Sequence, residues 1–222
     1  MYTPRYYAES DLSALDLLVA ADPFATLVTV RDGAPTATHL PVLYARDGDR
    51  VVFRGHWARP NPQWRDGGDA LLILHGPHSY ISPSWYPDKE EAARVPTWNY
   101  AVAHVTGRLE IFHDTDALAA IVSELSERHE SANGSDWRFD PGRADLRVQL
   151  KGIVGFQMEA ARIDVKFKLN QNHPEPNRRG VIAALAAKPA DDARAVAALM
   201  RERLATATAP ENAPDDTHGT EH

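Results

Sequence analysis

A continuous apolar and β-branched stretch, Phe24-Ala25-Thr26-Leu27-Val28-Thr29-Val30, is followed directly by the turn residues Arg31-Asp32-Gly33. A short apolar run bounded by turn residues is typical of a buried strand. Because Asp-Gly is a strong hairpin signal, we expect the chain to return as a second strand over residues 36–44. This hairpin predicts a sheet of antiparallel strands.

Further segments continue the same pattern of short strands and turns. Apolar and polar residues alternate in the fifth segment, where Gly107 is expected to form a bulge. The closely spaced antiparallel strands favour a small barrel over a doubly wound sheet, so we predict a mainly β fold of about six strands with flanking helices. The remaining strands are expected over 51–54, 70–75, 101–111 and 152–168.

Helical periodicity precedes and interrupts the strands. Residues 10–21 are predicted to form a helix, with Ser10 and Asp11 at its N-terminus. A second helix is expected over 114–130, inserted before the last strand, and further helices over 178–204.

These elements predict one domain and a tail. We expect residues 1–204 to form a single β-barrel domain that includes the inserted and C-terminal helices. Residues 205–222 contain Asp and Glu but no Lys or Arg, and they are rich in Thr, Ala and Pro. This composition predicts a disordered acidic tail.

The composition excludes several classes of protein. The chain has 222 residues with 43% hydrophobic and 25% charged residues, which is typical of an ordinary globular protein. No apolar run reaches the length of a membrane helix, so no membrane partner is expected. The absence of cysteine excludes disulfides and thiolate catalysis, and together with the lack of a secretion signal it predicts a cytoplasmic protein. A net charge of −7 is opposite in sign to the basic excess of most nucleic-acid-binding proteins.

A cationic, donor-rich stretch follows the last predicted strand. Lys166 and Lys168 are two residues apart, so both would lie on one face of that strand, and Gln171, Asn172 and Arg178 come soon after. An anionic ligand such as a nucleotide phosphate needs such donors. The same pattern is also typical of a solvated strand end, and both interpretations stay open.

Four other clusters combine polar, aromatic, glycine and proline residues. They lie at residues 38–41, 55–64, 76–86 and 95–100. Together with the stretch after the last strand, they match in order the GH-x-AR-x-NPQW, GP-x-xYISPSWY, VPTWNY and K-x-KL-x-QN signatures of the PaiB family. The chain resembles this family, which is described as FMN-binding negative transcriptional regulators, over nearly its whole predicted domain.

The resemblance implies a split β-barrel of the flavin-binding kind, in a homodimer with cofactor sites at the subunit interface. An FMN phosphate needs cationic and polar donors, and the flavin ring needs flat apolar cover. His173 stands where an arginine is common in the family, which removes one cation from the implied site. The candidate cofactor-binding residues are His39, His56, Arg59, Asn61, Trp98, Asn99, Tyr100, Lys166, Lys168, Gln171, Asn172 and Arg178.

The same residues also have structural interpretations. Asn-Pro initiates turns, so Arg59 and Asn61 are equally typical of a capped turn. Tryptophans such as Trp64, Trp85 and Trp98 dominate packing in cores and interfaces. These alternatives stay open.

Several functions remain compatible with the sequence. The first is a flavin-binding protein linked to redox or flavin status, and the second is a transcriptional regulator of the PaiB kind. A haem-binding or haem-processing barrel, with an axial ligand such as His39 or His173, and a flavin-dependent reductase are the alternatives. No HExxH, nucleophile elbow, Walker loop or GxGxxG motif occurs, so we predict neither a metal site nor particular catalytic residues.

Direct DNA contact has little support in the charge of the chain. A local patch of arginines is the feature that favours DNA contact. The same arginines can also be explained by the favourable interaction of positive charges with the C-terminal ends of helices and with nearby acidic residues. The patch consists of Arg178, Arg179, Arg194, Arg201 and Arg203.

Overall fold

Eight strands join in one sheet in the computed structural model of the chain, which describes residues 1–208. The strands are β1 (Ala8–Glu9), β2 (Phe24–Arg31), β3 (Ala34–Pro41), β4 (Leu43–Asp47), β5 (Arg50–Ala58), β6 (Gly68–Ile81), β7 (Thr97–Phe112) and β8 (Ile153–Lys168). The α-helices are α1 (Ser13–Ala21), α2 (Thr115–Ala132), α3 (Ala144–Arg147), α4 (Glu175–Ala186) and α5 (Asp191–Thr208). Most of the predicted tail lies outside the described residues, and residues 205–208 form the end of α5.

The sheet order is β3-β2-β6-β7-β8-β5-β4, and β1 pairs with β8. Within the described residues, the two end strands of this order, β3 and β4, do not pair with each other, so the sheet stays open. The mainly β, antiparallel architecture with flanking helices agrees with the prediction.

The sequence-based count of about six strands was too low. The strand expected over 36–44 is divided into β3 and β4, because the chain changes partners at Val42. Strand β3 pairs with β2, whereas β4 pairs with β5. Strands β5 and β6 are also longer than expected, since their ends carry polar residues that hide the apolar alternation.

A bulge lies beside Gly107, but its extra residue belongs to β8 and not, as predicted, to β7: Thr106 pairs with Arg162 and Gly107 with Ala160, so Ala161 is the residue passed over. The register with β8 shifts between Thr106 and Gly107. A Cβ atom on Gly107 would lie 2.2 Å from the carbonyl oxygen of Glu159, closer than van der Waals contact permits. The close approach of the two backbones therefore requires glycine here.

Helix α1 begins later than predicted. Its N-cap position is Leu12, which makes no side-chain capping bond. The Asp11 carboxylate instead accepts a hydrogen bond from the backbone N–H of Ser13 over 2.8 Å. The prediction of Ser10 and Asp11 as the cap was therefore wrong in position, although Asp11 still satisfies one of the free amides of the first turn.

The chain divides into two compact units. The larger unit comprises residues 1–76 and 100–168, and the smaller unit comprises residues 77–99 together with the chain from residue 169 onward. The core of the larger unit contains Leu27, Phe53, Trp57, Leu72 and Phe156, all of them fully buried. In the smaller unit, Ile81, Tyr86, Val181, Leu185 and Val196 are buried. The single domain predicted over residues 1–204 stays a prediction.

Candidate functional site

The motif at residues 55–64 lies where β5 leaves the sheet. The backbone N–H of Arg59 donates to the carbonyl of Gly152 over 2.7 Å. Its guanidinium donates to two further carbonyls of the same segment, through Nε to Lys151 and through Nη2 to Ile153 (2.8 Å). Three hydrogen bonds thus hold Arg59 against residues 151–153.

Asn61 forms a capped turn directly after Arg59. Its Oδ1 accepts from the backbone N–H of Gln63 over 3.0 Å, and its Nδ2 donates to the Thr38 hydroxyl over 2.8 Å. Asn61 therefore caps a turn, as its structural interpretation predicted, and its side chain also connects this turn to β3. Gln63 is fully buried, a role that no feature of the sequence indicated.

A groove of about 650 Å³ opens beside β5 in the larger unit. This volume lies within the range of small-molecule sites, roughly 300–1,000 Å³. The lining is mostly apolar and aromatic, with four polar side chains. It comprises Pro41, His56, Val122, Leu125, Ser126, His129, Trp137, Phe139, Leu146, Gln149, Leu150 and Ile153.

His56 is the predicted cofactor residue that lines this groove. Its Nδ1 is buried and has no hydrogen-bond partner within residues 1–208. Burial lowers the pKa of His56 below its ordinary value, so the neutral imidazole is favoured. An unpartnered buried nitrogen is costly, because its hydration is lost without compensation. A ligand group or water at this position would remove that cost.

Arg59 lies close to the same groove. The carbonyls that bind its guanidinium belong to Lys151 and Ile153, and Ile153 and Leu150 are groove residues. Within the described part of the chain, Nη1 of Arg59 has no hydrogen-bond partner. The structure therefore brings together a neutral histidine, an apolar groove and an adjacent cation.

The two predicted lysines lie at the other end of β8. Lys166 is only 7% exposed, and its Nζ donates to the Tyr2 carbonyl over 3.2 Å. The same Nζ lies 5.2 Å from the ring centre of Tyr100. The pKa of Lys168 is lowered, first by burial and then by the charge of Lys166.

These two groups of residues are far apart along the sheet. His56 pairs with Gly155 near the start of β8, whereas Lys166 pairs with Val102 near its end. Eleven positions separate Gly155 from Lys166, a contour length of about 36 Å at about 3.3 Å per residue. The larger unit therefore presents two clusters of predicted residues, and not one.

His39 belongs to neither cluster. Its Nδ1 lies 2.9 Å from the hydroxyl of Thr26, which also lies 3.1 Å from Nε2 of His75. The ring stacks on Phe24, with 6.5 Å between the ring centres. His39 is exposed on the outer face of β3.

The remaining predicted residues belong to the smaller unit. Trp98 is 52% exposed and its ring lies 6.0 Å from that of His78. Asn99 is fully buried, and its Oδ1 has no partner in the described structure. Gln171 accepts a hydrogen bond from the backbone N–H of Leu169, Asn172 is exposed, and Arg178 has a buried Nε without a partner among residues 1–208.

A second groove, of about 580 Å³, lies between α4 and α5 in the smaller unit. Arg179 and Arg201 of the predicted basic patch line it, together with Ile182 and Leu204. The Arg179 guanidinium forms an ion pair with Glu175 over 2.6 Å. This patch is therefore partly neutralised within its own helix.

The aromatic wall of the groove beside β5 was not predicted. Trp137 and Phe139 come from the segment between α2 and α3, which has no strand or helix periodicity. The sequence did contain one indication of this wall. Two aromatic residues in an otherwise polar, glycine-containing loop are expected to pack against apolar surroundings.

Comparison with known proteins identifies the family. A family model described as "Putative FMN-binding domain" matches residues 1–162. The chain is also 35% identical over 208 residues to the protease synthase and sporulation protein PAI 2 of Bacillus subtilis, covering 92% of this chain and 98% of that protein. The chain belongs to the PaiB family. This membership confirms the predicted resemblance and supports FMN as the cofactor of this PaiB-family chain.

Other relatives agree with this assignment. An uncharacterised protein of Emericella nidulans is 27% identical over 244 residues, covering 91% of this chain and 97% of that protein. Among solved structures, the FAD and haem binding protein of Mycobacterium smegmatis superimposes with a TM-score of 0.54 at 20% identity, covering 97% of this chain and 93% of that one. The flavocytochrome Anf3 of Azotobacter vinelandii superimposes with a TM-score of 0.53 at 18% identity, covering 75% and 72% of the two chains. These structures share the fold, and the predicted split β-barrel is confirmed.

Two expected absences can be checked only within residues 1–208. No group of three or more His, Cys, Asp or Glu side chains there has the arrangement of a metal site. None of the helices described combines the length and apolar character needed to cross a membrane.

Proposed function

We propose that this PaiB-family chain binds FMN in the groove beside β5 and acts as a flavin-linked transcriptional regulator. The observation that carries the proposal is the buried, unpartnered Nδ1 of His56 in an apolar groove next to Arg59. FMN would supply the redox chemistry, and the protein would supply binding and orientation.

The groove fits the two parts of FMN. Trp137, Phe139 and Leu150 offer the flat apolar cover that a flavin ring needs. The neutral imidazole of His56 can donate or accept a hydrogen bond at the ring edge. Arg59 is positioned by backbone carbonyls, so its remaining donor can bind a phosphate without losing side-chain freedom on binding.

The lysines lie eleven positions along β8 from Gly155, the partner of His56, so we propose that they contact the flavin of a second protomer and not that of their own chain. Their proposed role as phosphate contacts therefore requires a second protomer. Trp98, Asn99, Tyr100, Gln171, Asn172 and Arg178 likewise stay proposed cofactor contacts. His39 and Asn61 are proposed to support the rim of the site, since Pro41 on the same strand lines the groove.

We further propose a homodimer that forms through the outer face of β2 and β3. Four cross-strand pairs occupy this face, and none of their side chains is Asp, Glu, Lys or Arg. Val30 is 62% exposed and Phe24 is 52% exposed there, and β3 is an end strand of the sheet order. An exposed apolar surface at the edge of a sheet promotes aggregation unless another chain covers it. The pairs are Phe24–Pro41, Thr26–His39, Val28–Ala37 and Val30–Pro35.

Haem binding is not proposed for His39. Its Nδ1 already lies within hydrogen-bond distance of the Thr26 hydroxyl, at 2.9 Å. The match to a family model described as a putative FMN-binding domain also favours the flavin interpretation over haem.

The site is tested by comparing FMN with riboflavin, which lacks the phosphate. Titration followed by flavin fluorescence gives both affinities for the wild type and for Arg59→Gln. We expect Arg59→Gln to weaken FMN binding by about 1.5–3 kcal/mol, the value of a hydrogen bond to a charged group, and to leave riboflavin binding nearly unchanged. His56→Leu should weaken both ligands.

Arg50→Gln is the matched control. Arg50 lies at the opposite end of β5, is paired with Glu159 and is largely exposed. Its replacement should leave both affinities unchanged. Equal losses for FMN and riboflavin in Arg59→Gln would remove Arg59 from the phosphate site, and an unchanged affinity in His56→Leu would remove the flavin ring from the groove.

The regulatory part of the proposal is tested separately with duplex DNA. Direct DNA binding would show a steep salt dependence, and Arg201→Ala with Arg203→Ala should abolish it. A complete lack of DNA binding at low salt, with and without FMN, would mean that any regulation proceeds without direct contact.

A further inference from the structure

The groove between α4 and α5 has no part in the proposed flavin site. It belongs to the smaller unit and has a volume of about 580 Å³, within the range of small-molecule sites, roughly 300–1,000 Å³. Its walls come from two helices only. They comprise Arg179, Ile182 and Ala183 of α4 and Arg201, Leu204 and Ala205 of α5.

The two walls follow the same residue pattern. In each helix an arginine is followed three residues later by Ile or Leu and four residues later by Ala. Positions i, i+3 and i+4 share one face of a helix, so each helix presents one cation and two apolar side chains to the groove. Ile182 and Leu204 are only 8% and 7% exposed, whereas both arginines and both alanines are exposed. The groove therefore has an apolar base and a cationic rim.

The charge at this rim is that of one uncompensated cation. The Arg179 guanidinium forms an ion pair with Glu175 over 2.6 Å, and the two side chains are 65% and 42% exposed. The Arg201 side chain has neither a hydrogen bond nor an ion pair among residues 1–208. Two arginines and one glutamate leave a net charge of 2 − 1 = +1. A ligand with a single negative charge would neutralise it.

We propose that this groove binds amphipathic monocarboxylates, with the carboxylate on the Arg201 guanidinium and the hydrocarbon chain along Ile182 and Leu204. A guanidinium binds a carboxylate through two parallel hydrogen bonds, and burial of the chain in the groove removes apolar surface from water. A neutral alcohol would gain only the second contribution, and a short acid only the first. The site does not depend on the proposed flavin groove.

The test compares octanoate, octanol and acetate by isothermal titration calorimetry of the full-length protein. We expect octanoate to bind about tenfold or more tighter than octanol, because only the acid pairs with Arg201, and acetate to bind more weakly than octanoate. Equal affinities for octanoate and octanol would overturn the carboxylate contact. Saturating FMN should leave the octanoate affinity unchanged, and displacement of octanoate by FMN would assign the ligand to the flavin groove and overturn this site.

Arg201→Gln tests the charge contact. It should weaken octanoate binding by about tenfold or more and leave octanol binding nearly unchanged. Arg203→Gln is the matched control, because Arg203 belongs to the same helix but is not among the described residues that line the groove. Its octanoate affinity should equal that of the wild type. An unchanged octanoate affinity in Arg201→Gln would overturn the proposal.

Ala183→Trp tests the location by filling the groove. Ala183 is exposed, so the larger side chain does not have to enter the core, and circular dichroism with thermal unfolding verifies that the variant folds. Binding of octanoate and of octanol should both fall by about tenfold or more, since the indole occupies the space of the hydrocarbon chain. Undiminished binding of both ligands would place them elsewhere and overturn the proposed site.

The acidic residues at the end of the chain are a competing occupant of the same chemistry. Their replacement by the corresponding amides in the full-length chain should leave the octanoate affinity nearly unchanged. A gain in affinity of about tenfold or more would assign the groove to the chain's own carboxylates and overturn a site for a separate molecule. The residues to be replaced are Glu211, Asp215, Asp216 and Glu221.

Discussion

Trp57 donates a hydrogen bond from its indole Nε1 to Oε1 of Gln63 over 3.0 Å. Both side chains are almost completely buried, with exposures of 1% and 0%. The amide nitrogen of Gln63 donates in turn to the carbonyls of Leu27 and Thr36, at 3.0 and 2.9 Å. One glutamine therefore connects β5, β2 and β3, the strands that flank the proposed site.

Replacement of this glutamine is expected to be costly. Gln63→Ala would leave the Trp57 indole and two carbonyls without partners and would open a cavity, so we expect a loss of about 2–4 kcal/mol in the free energy of unfolding. Urea unfolding measures it. Gln149→Ala, at an exposed position, should change stability by less than about 0.5 kcal/mol. A similarly small effect in Gln63→Ala would contradict the role of this network.

The glycine that faces the β8 bulge provides a second test. In Gly107→Ala, the new Cβ would meet the carbonyl oxygen of Glu159 at 2.2 Å, so β7 and β8 would have to separate. We expect a loss of about 1–3 kcal/mol, as for other overpacked sites, measured by thermal or urea unfolding. Gly152→Ala is the control, because its Cβ would meet no atom within 4 Å. Equal stabilities of the two variants would show that the backbones are not in close contact.

Stability should depend on pH through His56. Its pKa is lowered in the folded protein by burial, so between the folded pKa and the unfolded value near 6.5 the unfolded chain binds more protons. The free energy of unfolding must therefore fall as the pH drops below about 6.5, by at most about 1.4 kcal/mol per pH unit for one group. Urea unfolding between pH 7 and pH 5 measures the slope.

His56→Gln should reduce that slope. His104, whose pKa is also lowered mainly by burial, should leave part of it in place. The carboxylates with lowered pKa values, such as those of Asp16 and Asp164, affect stability only below about pH 4. They therefore do not contribute to the slope between pH 7 and pH 5. An unchanged slope in His56→Gln would contradict the burial of a neutral imidazole.

The proposed dimer face can be tested with one charge. Val30→Glu places a carboxylate on the outer face of β2, and we expect it to convert a homodimer to monomer because the charge would be buried unpaired in the interface. Size-exclusion chromatography with light scattering gives the mass. Val148→Glu makes the same change at a valine that is 53% exposed elsewhere in the larger unit, and it should leave the mass unchanged. A dimer that persists in Val30→Glu would place the interface elsewhere.

Much of the barrel could be predicted because its signals are local. The stretch at 24–33 forms a strand and a hairpin turn through its own β-branched side chains and Asp-Gly pair, and Asp32 and Gly33 have the positive φ values that such a turn needs. Gly107 marked the place of the irregularity because it interrupts a long alternating strand, but the extra residue of the bulge, Ala161, lies in β8. The division of residues 36–44 at Val42 was not identifiable, since it depends on which strand each half pairs with.

The site, like the strands, could be predicted from the sequence only in part. The amino-acid sequence by itself determined the chemical types that are present: arginine, histidine and amides in the 55–64 motif, and two lysines on one strand face. Tertiary structure decided which of them meet. It bound Arg59 and Asn61 to backbone and hydroxyl partners, left a nitrogen of His56 unpaired in a groove, and placed the lysines at the opposite end of β8. The physical reason is that strand pairing and burial are long-range: the partner of a polar group can lie far away in the chain, as Tyr2 lies 164 residues from Lys166.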